Sequence, residues 1–427
     1  MNKQIISNSF IVFLLTGSTY LLSIVFSILF AKTFGTSKAA DTYFLAMTIP
    51  QITHGITSAF FFTPVIYYGS KLFAHAKHKE LHAYFFQNIL ISAIVSGILS
   101  IFVFLTAQEI LNFFFPDTPV TLILIVTPLI VLFGIASVTN AILHLHKKFI
   151  LPALLRGTAL LGATLTLIAF ADVNFVALGF SIGILCLLFL QTIFILKHRY
   201  ISFSMKFDSE LFKKSFKYAL PLLLGSAFYY IARNAPLYFA TRISEGAVAT
   251  LSYTFTIYFA IPVLITEPVS TVLYPYLSDL AHKNDKTLRK KIKLTTALSF
   301  AFLIPLTMGA YFLAEPVITL LYQRGAFTQQ DAEITGKVFS ILALSIIPIA
   351  FRSLFHSFFY AVGRPWVHTI SFAILSLFIA LFTWILPLSL TMLAIIIVMA
   401  NWLTLFMEGV LLAIMIRTRI TRFKETF

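Results

Sequence analysis

Apolar stretches long enough to cross a bilayer recur along this chain from end to end, separated by short charged or turn-rich breaks. A run of about twenty apolar residues can span lipid only as a helix, because each backbone amide must be satisfied inside its own segment. Windows between the breaks give twelve spans: 8–31, 41–68, 82–107, 119–145, 152–170, 174–196, 218–241, 247–277, 291–314, 331–361, 366–386 and 390–416. Charged residues make up 11% of the 427, against about 25% in a soluble chain. The expected fold is an all-α polytopic membrane protein. The run from Ile11 to Ala31 behind Lys3 is too long for a signal peptide and lacks a small-residue cleavage site, so it reads as the first retained span.

A net charge of +15 would point to nucleic acid in a soluble protein, but here the basic residues lie between spans, where they set orientation and meet anionic lipid. Nucleic acid is therefore excluded as a partner, while membrane lipids are expected. With the N-terminus in the cytoplasm, 23 of the 31 Lys and Arg residues fall in cytoplasmic segments, notably Lys71, Lys77, Lys79, and the stretches 197–217, 283–293 and 417–424. Lys32, Lys38, Arg242 and Arg324 fall outside, and Arg156, Arg233, Lys337 and Arg352 lie within spans. This asymmetry predicts an N-in, C-in topology. The single cysteine, Cys186, sits in an apolar run, which excludes an internal disulfide and a cysteine metal cluster.

The longest basic, polar break divides the chain into an N-terminal six-helix lobe (1–200), an amphipathic cytoplasmic linker (201–217) and a C-terminal six-helix lobe (218–427). The lobes repeat one another. Val65-Ile66-Tyr67-Tyr68 answers Val272-Leu273-Tyr274-Pro275, and Ala107-Gln108-Glu109-Ile110 answers Ala314-Glu315-Pro316-Val317, at one shared offset; Phe30-Ala31-Lys32 answers Phe239-Ala240-Thr241. An even number of spans per half makes the repeats parallel, as in transporters that rock two bundles about a central site.

No phosphate-cradling glycine loop, His-Glu-x-x-His or nucleophile elbow is present, so the chain reads as a transporter, with no cofactor or metal, and not as an enzyme. Most of the ten histidines belong to loops. His54 differs, lying mid-span between Pro50 and Pro64, whose bends are tolerated where a cavity or neighbouring helix satisfies the freed carbonyls; it is a candidate to line a cavity and bind the substrate headgroup with Arg233 and Arg352, or else a hydrogen-bonded packing histidine. Charges at membrane depth carry the most information. Arg233, with Tyr229, Tyr230 and Asn234 beside it, suits a wet pocket for an anionic group such as a pyrophosphate. Glu267, Arg352 and Glu408 each fall ~7–9 Å to the cytoplasmic side of their span centres and can meet at one level. Arg352 is thus either half of an ion pair with Glu267 or Glu408, or a gating or substrate residue. Glu267, Glu408 and Asp41 are the candidates for gating or ion coupling, and Pro262 and Pro268 for hinges.

Two stretches resemble the lipid II flippase (MurJ/MviN) family of the MOP exporter superfamily. Ala31-Lys32-Thr33-Phe34-Gly35 with Ala40-Asp41-Thr42-Tyr43-Phe44 is similar to its A-R-x-F-G…x-D-A-F-F segment. Leu321-Tyr322-Gln323-Arg324-Gly325-Ala326-Phe327-Thr328-Gln329-Gln330-Asp331-Ala332 is similar to its F-x-x-G-x-F-T-x-x-D-A loop. The resemblance implies a MOP-type fold in a bacterial inner membrane and a flippase that alternates between inward and outward states. Its cargo would be an undecaprenyl-linked saccharide, its partners glycosyltransferases or a polymerase, its state a monomer, and its drive the membrane potential, H+ or Na+. The family's cationic positions are occupied here by Tyr20, Phe26 and Ile257, and Thr53-His54-Gly55-Ile56-Thr57-Ser58 stands where it has R-R-x-F-A-E-G-A. Twelve spans also replace fourteen. These departures imply an altered headgroup preference. Two other functions fit the same architecture: a cation-coupled exporter of small drugs or metabolites, and a non-transporting scaffold in envelope-polysaccharide assembly.

Overall fold

A computed structural model describes residues 3–114, 120–155, 157–202, 208–262, 301–361, 364 and 366–417. All regular structure among them is helical. The first half carries α1 (Lys3–Phe34), α2 (Lys38–Thr57), α3 (Thr63–Ala74), α4 (His78–Leu105), α5 (Ala107–Phe114), α6 (Thr121–Val126), α7 (Pro128–Leu145), α8 (Ile150–Leu155), α9 (Thr158–Phe170) and α10 (Val173–Lys197). The second half carries α11 (Ser209–Ala240), α12 (Ala247–Pro262), α13 (Ala301–Phe312), α14 (Ala314–Tyr322), α15 (Gln329–Ala343), α16 (Ile346–Ala361), α17 (Trp366–Ile385) and α18 (Leu390–Arg417). Among the described residues seven helices are long and apolar enough to cross a membrane, and nine if each of two bent pairs counts once. Much of the spans expected at 247–277 and 291–314 lies outside the described residues, including Glu267 and Pro268.

Helix α4 shows why these helices belong in lipid. Its Ile98, Ile101, Phe102 and Leu105 are exposed, whereas Gln87, Asn88, Ser92 and Ser96 are buried. Apolar groups outside and polar groups inside suit a hydrocarbon surround, where polar side chains must find partners within the bundle. Small residues do similar work between α9 and α10. A Cβ on Gly162 would run into the carbonyl oxygen of Gly179, and one on Gly183 into that of Thr158. Backbones approach that closely only without side chains. The Thr158 hydroxyl uses the proximity to donate to the Gly183 carbonyl at 3.0 Å. A tight turn joins the pair: Ala171 closes α9 in the left-handed region at φ 49°, and the Asp172 side chain caps α10 by accepting from Asn174 and Phe175 N–H.

The internal repeat is visible in helix breaks. Helix α4 ends at Leu105 and α5 resumes at Ala107; α13 ends at Phe312 and α14 resumes at Ala314, at the offset read from the sequence. By its contacts the chain separates into two compact units, Met1–Tyr230 and Ile231–Phe427. Segment 209–217 forms the first turns of α11, which runs on as one helix to Ala240.

Candidate functional site

In the N-terminal unit the second span is interrupted. Pro64 has no N–H to donate one turn back, and the backbone takes up the mismatch as a π-helical segment at Ser58–Phe62. The interruption borders a cavity of about 510 Å³ lined by His54, Ser58 and Phe62 from this span, by α7 residues including Phe133, Ser137, Asn140 and His144, and by apolar residues of α9 and α10. None of the lining residues is Lys, Arg, Asp or Glu.

The cavity's polar side is held from behind. Gln191 is fully buried; it accepts from the Thr139 hydroxyl at 2.7 Å and donates through Nε2 to Asn140 Oδ1 at 2.9 Å. With its oxygen engaged, the Asn140 carboxamide presents its N–H donors to a guest. His144 Nδ1 donates to the Asn140 main-chain carbonyl at 2.7 Å, which fixes the neutral ring's tautomer. The His54 ring lies against Phe133 with centroids 4.6 Å apart. Neutral donors, hydroxyls and an aromatic ring here face an apolar wall.

The C-terminal unit holds a second polar cluster, built by three helices. Arg352 NH1 on α16 donates to the Thr404 hydroxyl on α18 at 3.2 Å, and its guanidinium lies over the Phe372 ring at 4.9 Å. His356 Nε2, one turn along α16, meets Glu408 Oε1, one turn along α18, at 2.8 Å. Both pairs are 52 residues apart, so the two helices run parallel in register. His368 on α17 completes the cluster, its Nδ1 2.8 Å from His356 Nδ1. Arg352 and Glu408 therefore share one cluster, and the hydrogen-bond partners at the Glu408 carboxyl are His356 and Ser371 of α17. His356 and His368 were not among the expected site residues. The available signal was the i, i+4 spacing of Arg352 and His356, which places both on one helical face.

The other expected residues are more dispersed. Arg233 is half-buried with its guanidinium 4.7 Å from the centre of the Phe259 ring, and Asn234 beside it is buried. Tyr229 and Tyr230 meet edge-on at 5.1 Å, and the Tyr230 ring covers Gly55 so closely that a Cβ there would overlap it. Asp41 is buried in the first turn of α2, and Pro262 is the last residue of α12.

The sequence profile of the lipid II flippase MurJ family matches residues 30–426, nearly the whole chain. The chain belongs to the MurJ family. Similar curated relatives, each named as a probable lipid II flippase MurJ, include one from Bdellovibrio bacteriovorus, 30% identical over 37% of this chain and 30% of its own length. Another, from Buchnera aphidicola subsp. Acyrthosiphon pisum, is 26% identical over 82% of this chain and 71% of its own. The chain spans less than half the length of the first relatives it matches, 30% for Bdellovibrio and 40% for Helicobacter pylori. In fold it is similar to a solved lipid II flippase MurJ in an inward closed conformation, with a TM-score of 0.82 at 21% identity over 94% of this chain and 87% of that one. It is also similar to an inward-facing multidrug resistance MATE transporter of the MOP superfamily, with a TM-score of 0.76 at 13% identity over 96% of each chain.

Both MurJ-like motifs prove to be loop-and-cap devices. In the first, Gly35 takes φ 55° and ends α1, Ser37 caps α2, and Phe30 packs on Tyr43 and Phe44 at 4.7 and 5.1 Å. In the second, Gly325 takes φ 63°, Thr328 and Asp331 form a reciprocal capping box on α15, and Phe327 is buried against Tyr253 and Tyr322. The multi-pass membrane architecture and the MurJ family together place the chain in a bacterial inner membrane.

Proposed function

We propose that this protein is a flippase carrying a polyprenyl-(pyro)phosphate-linked saccharide from the inner to the outer leaflet by alternating access. The observation that supports this reading, beyond family membership, is the uncharged cavity of the N-terminal unit. Sugars are recognised by amide donors and hydroxyl acceptors beside an aromatic face, which is what Asn140, Ser137 (its own O–H donated to the Phe133 carbonyl at 2.9 Å), His54 and Phe133 supply. Arg233 is the residue assigned to the phosphate charge, with Asn234, Tyr229 and Tyr230 beside it in sequence. Arginines stand elsewhere in the family pattern than here, which favours a saccharide or headgroup different from that of the named relatives. The chain acts as a monomer supplied by a membrane glycosyltransferase. A scaffold would need no such cavity, and a cation-driven drug exporter would expect acidic groups lining it.

The test is flipping of a fluorescent polyprenyl-diphosphate saccharide in proteoliposomes of the full chain. Asn140→Leu and Arg233→Ala are expected to reduce the rate at least tenfold. If Arg233→Ala flips normally while Glu408→Gln abolishes sodium- or proton-driven export of a small organic cation, the exporter reading replaces this one.

A further inference from the structure

The polar groups open to a guest in the cavity of the N-terminal unit are all neutral dipoles, and their roles are fixed. Phe133, Ser137, Asn140 and His144 form one stripe along α7, and α9 borders the cavity with its first turn. In the N-in topology α7 runs inward and α9 starts from the cytoplasmic side, so the cavity lies in the cytoplasmic half of the unit. Asn140 keeps its Nδ2 donors, because Gln191 holds its oxygen. Ser137 donates its proton to the Phe133 carbonyl and is left as an acceptor. The half-buried Ser58 hydroxyl, at the head of the π-helical segment, makes no hydrogen bond among the described residues and can take either role. Among the described residues no cation or carboxylate lines the cavity, and the next cations along α7, Lys147 and Lys148, are exposed in the turn beyond it. An ionised group entering here exchanges water for a few dipoles with no counter-charge, which is far costlier than burying a hydroxyl that finds a partner.

We propose that this cavity selects an uncharged sugar and rejects one that bears a carboxylate, so that the cargo is a polyprenyl-linked glycan whose cavity-bound residue carries no charged substituent; that the selection serves transport rests on the flippase reading above. A sugar ring has a C–H face and a rim of oxygens. The face matches the apolar side formed by α9 and α10, and the rim matches the stripe on α7. A ring oxygen or an acetamido carbonyl accepts from Asn140 Nδ2, and a sugar hydroxyl donates to Ser137 Oγ. The diphosphate of the cargo obeys the same rule as a carboxylate. It stays outside, so the sugar enters first, from the cytoplasmic side, and the phosphates remain at the mouth.

The test uses two probes that differ in charge and hardly in shape, methyl glucuronoside and its carboxamide, each added to the purified full-length chain and followed by saturation-transfer NMR. Near about pH 7 the first is an anion and the second is neutral. The carboxamide is expected to bind at least about tenfold better than the carboxylate, and to lose its signal in Asn140→Leu. Equal binding of the two, or of neither, overturns the charge rule; a carboxamide signal that survives Asn140→Leu overturns the cavity as the site. Ser58→Lys guards against a misfolded Asn140 variant by placing a cation on the cavity wall. It should raise carboxylate binding about tenfold, with the carboxamide still bound as the sign of an intact fold. A carboxylate signal that stays where it was in this folded variant overturns the proposal. In proteoliposomes, a polyprenyl diphosphate carrying the amide sugar should flip at least about tenfold faster than one carrying the acid. Equal rates overturn the selection in transport and leave the flippase reading. Selective binding by a chain that flips neither cargo supports the charge rule and overturns the flippase reading instead.

Discussion

Adding one methyl group at two different glycines should shift stability in opposite directions. Gly97 lies within α4 with no atom within 4 Å of where a Cβ would stand, so Gly97→Ala only stiffens the unfolded chain and improves helix propensity. The gain is about 0.5–1 kcal/mol. At Gly162 the same methyl meets the backbone carbonyl of Gly179, which cannot rotate away, so α9 and α10 must separate. Separation weakens the hydrogen bond from Thr158 to Gly183 and the dispersion contacts along the pair. Apolar burial offers no compensation when lipid fills the gap. Overpacking of this kind costs about 1–3 kcal/mol. At roughly 2–4 °C per kcal/mol, Gly162→Ala should melt several degrees below the wild type in detergent, and Gly97→Ala slightly above it. Thermal unfolding of the purified variants, read by loss of the monodisperse peak on size exclusion, decides the matter. A Gly162→Ala protein melting at or above wild type would refute the claim that these helices touch through their backbones.

Three further outcomes follow. Gln191→Leu removes two buried hydrogen bonds worth about 0.6 kcal/mol each in a membrane. It should lower the melting point slightly yet reduce flipping strongly by releasing Asn140, and equal losses in both would count against the cavity. Thr328→Ala breaks the capping box of α15 and should destabilise by about 1 kcal/mol in a denaturation series, with Thr328→Ser recovering most of it. His146, at the end of α7 and stacked on Tyr200 at 3.6 Å, has its pKa pushed below the ordinary 6.5 chiefly by burial. The unfolded chain therefore takes up this proton first, so its contribution to stability is complete above about pH 6.5 and is lost as pH falls below that. His146→Gln should flatten that part of a stability–pH curve.

Spans were legible because lipid leaves one solution for a long apolar run, and the offset between Ala107 and Ala314 survived as matching helix breaks. The depth estimate placed Glu267, Arg352 and Glu408 at one level from helical rise alone; Arg352 and Glu408 lie in one cluster, and Glu267 lies outside the described residues. Which group hydrogen-bonds Glu408 was beyond that estimate, since it depends on the rotation of α16 and α18 about their axes. His356 and His368 were hidden among loop histidines, although the paired spacing of Arg352 with His356 and of Thr404 with Glu408 marked two facing surfaces. Asn140 was invisible for another reason: its role depends on Gln191, 51 residues away on another helix.

The capping motifs carry a consequence for how such proteins diverge. Gly35, Gly325, Thr328 and Asp331 answer to backbone geometry at helix ends, so drift there is checked by folding, whatever the cargo. Under the proposed function residues such as His54 and Asn140 answer to the cargo, and neither caps a helix end. A lineage can therefore change its passenger while its recognisable signature stands still, and searches for specificity within such a group gain most by comparing cavity walls.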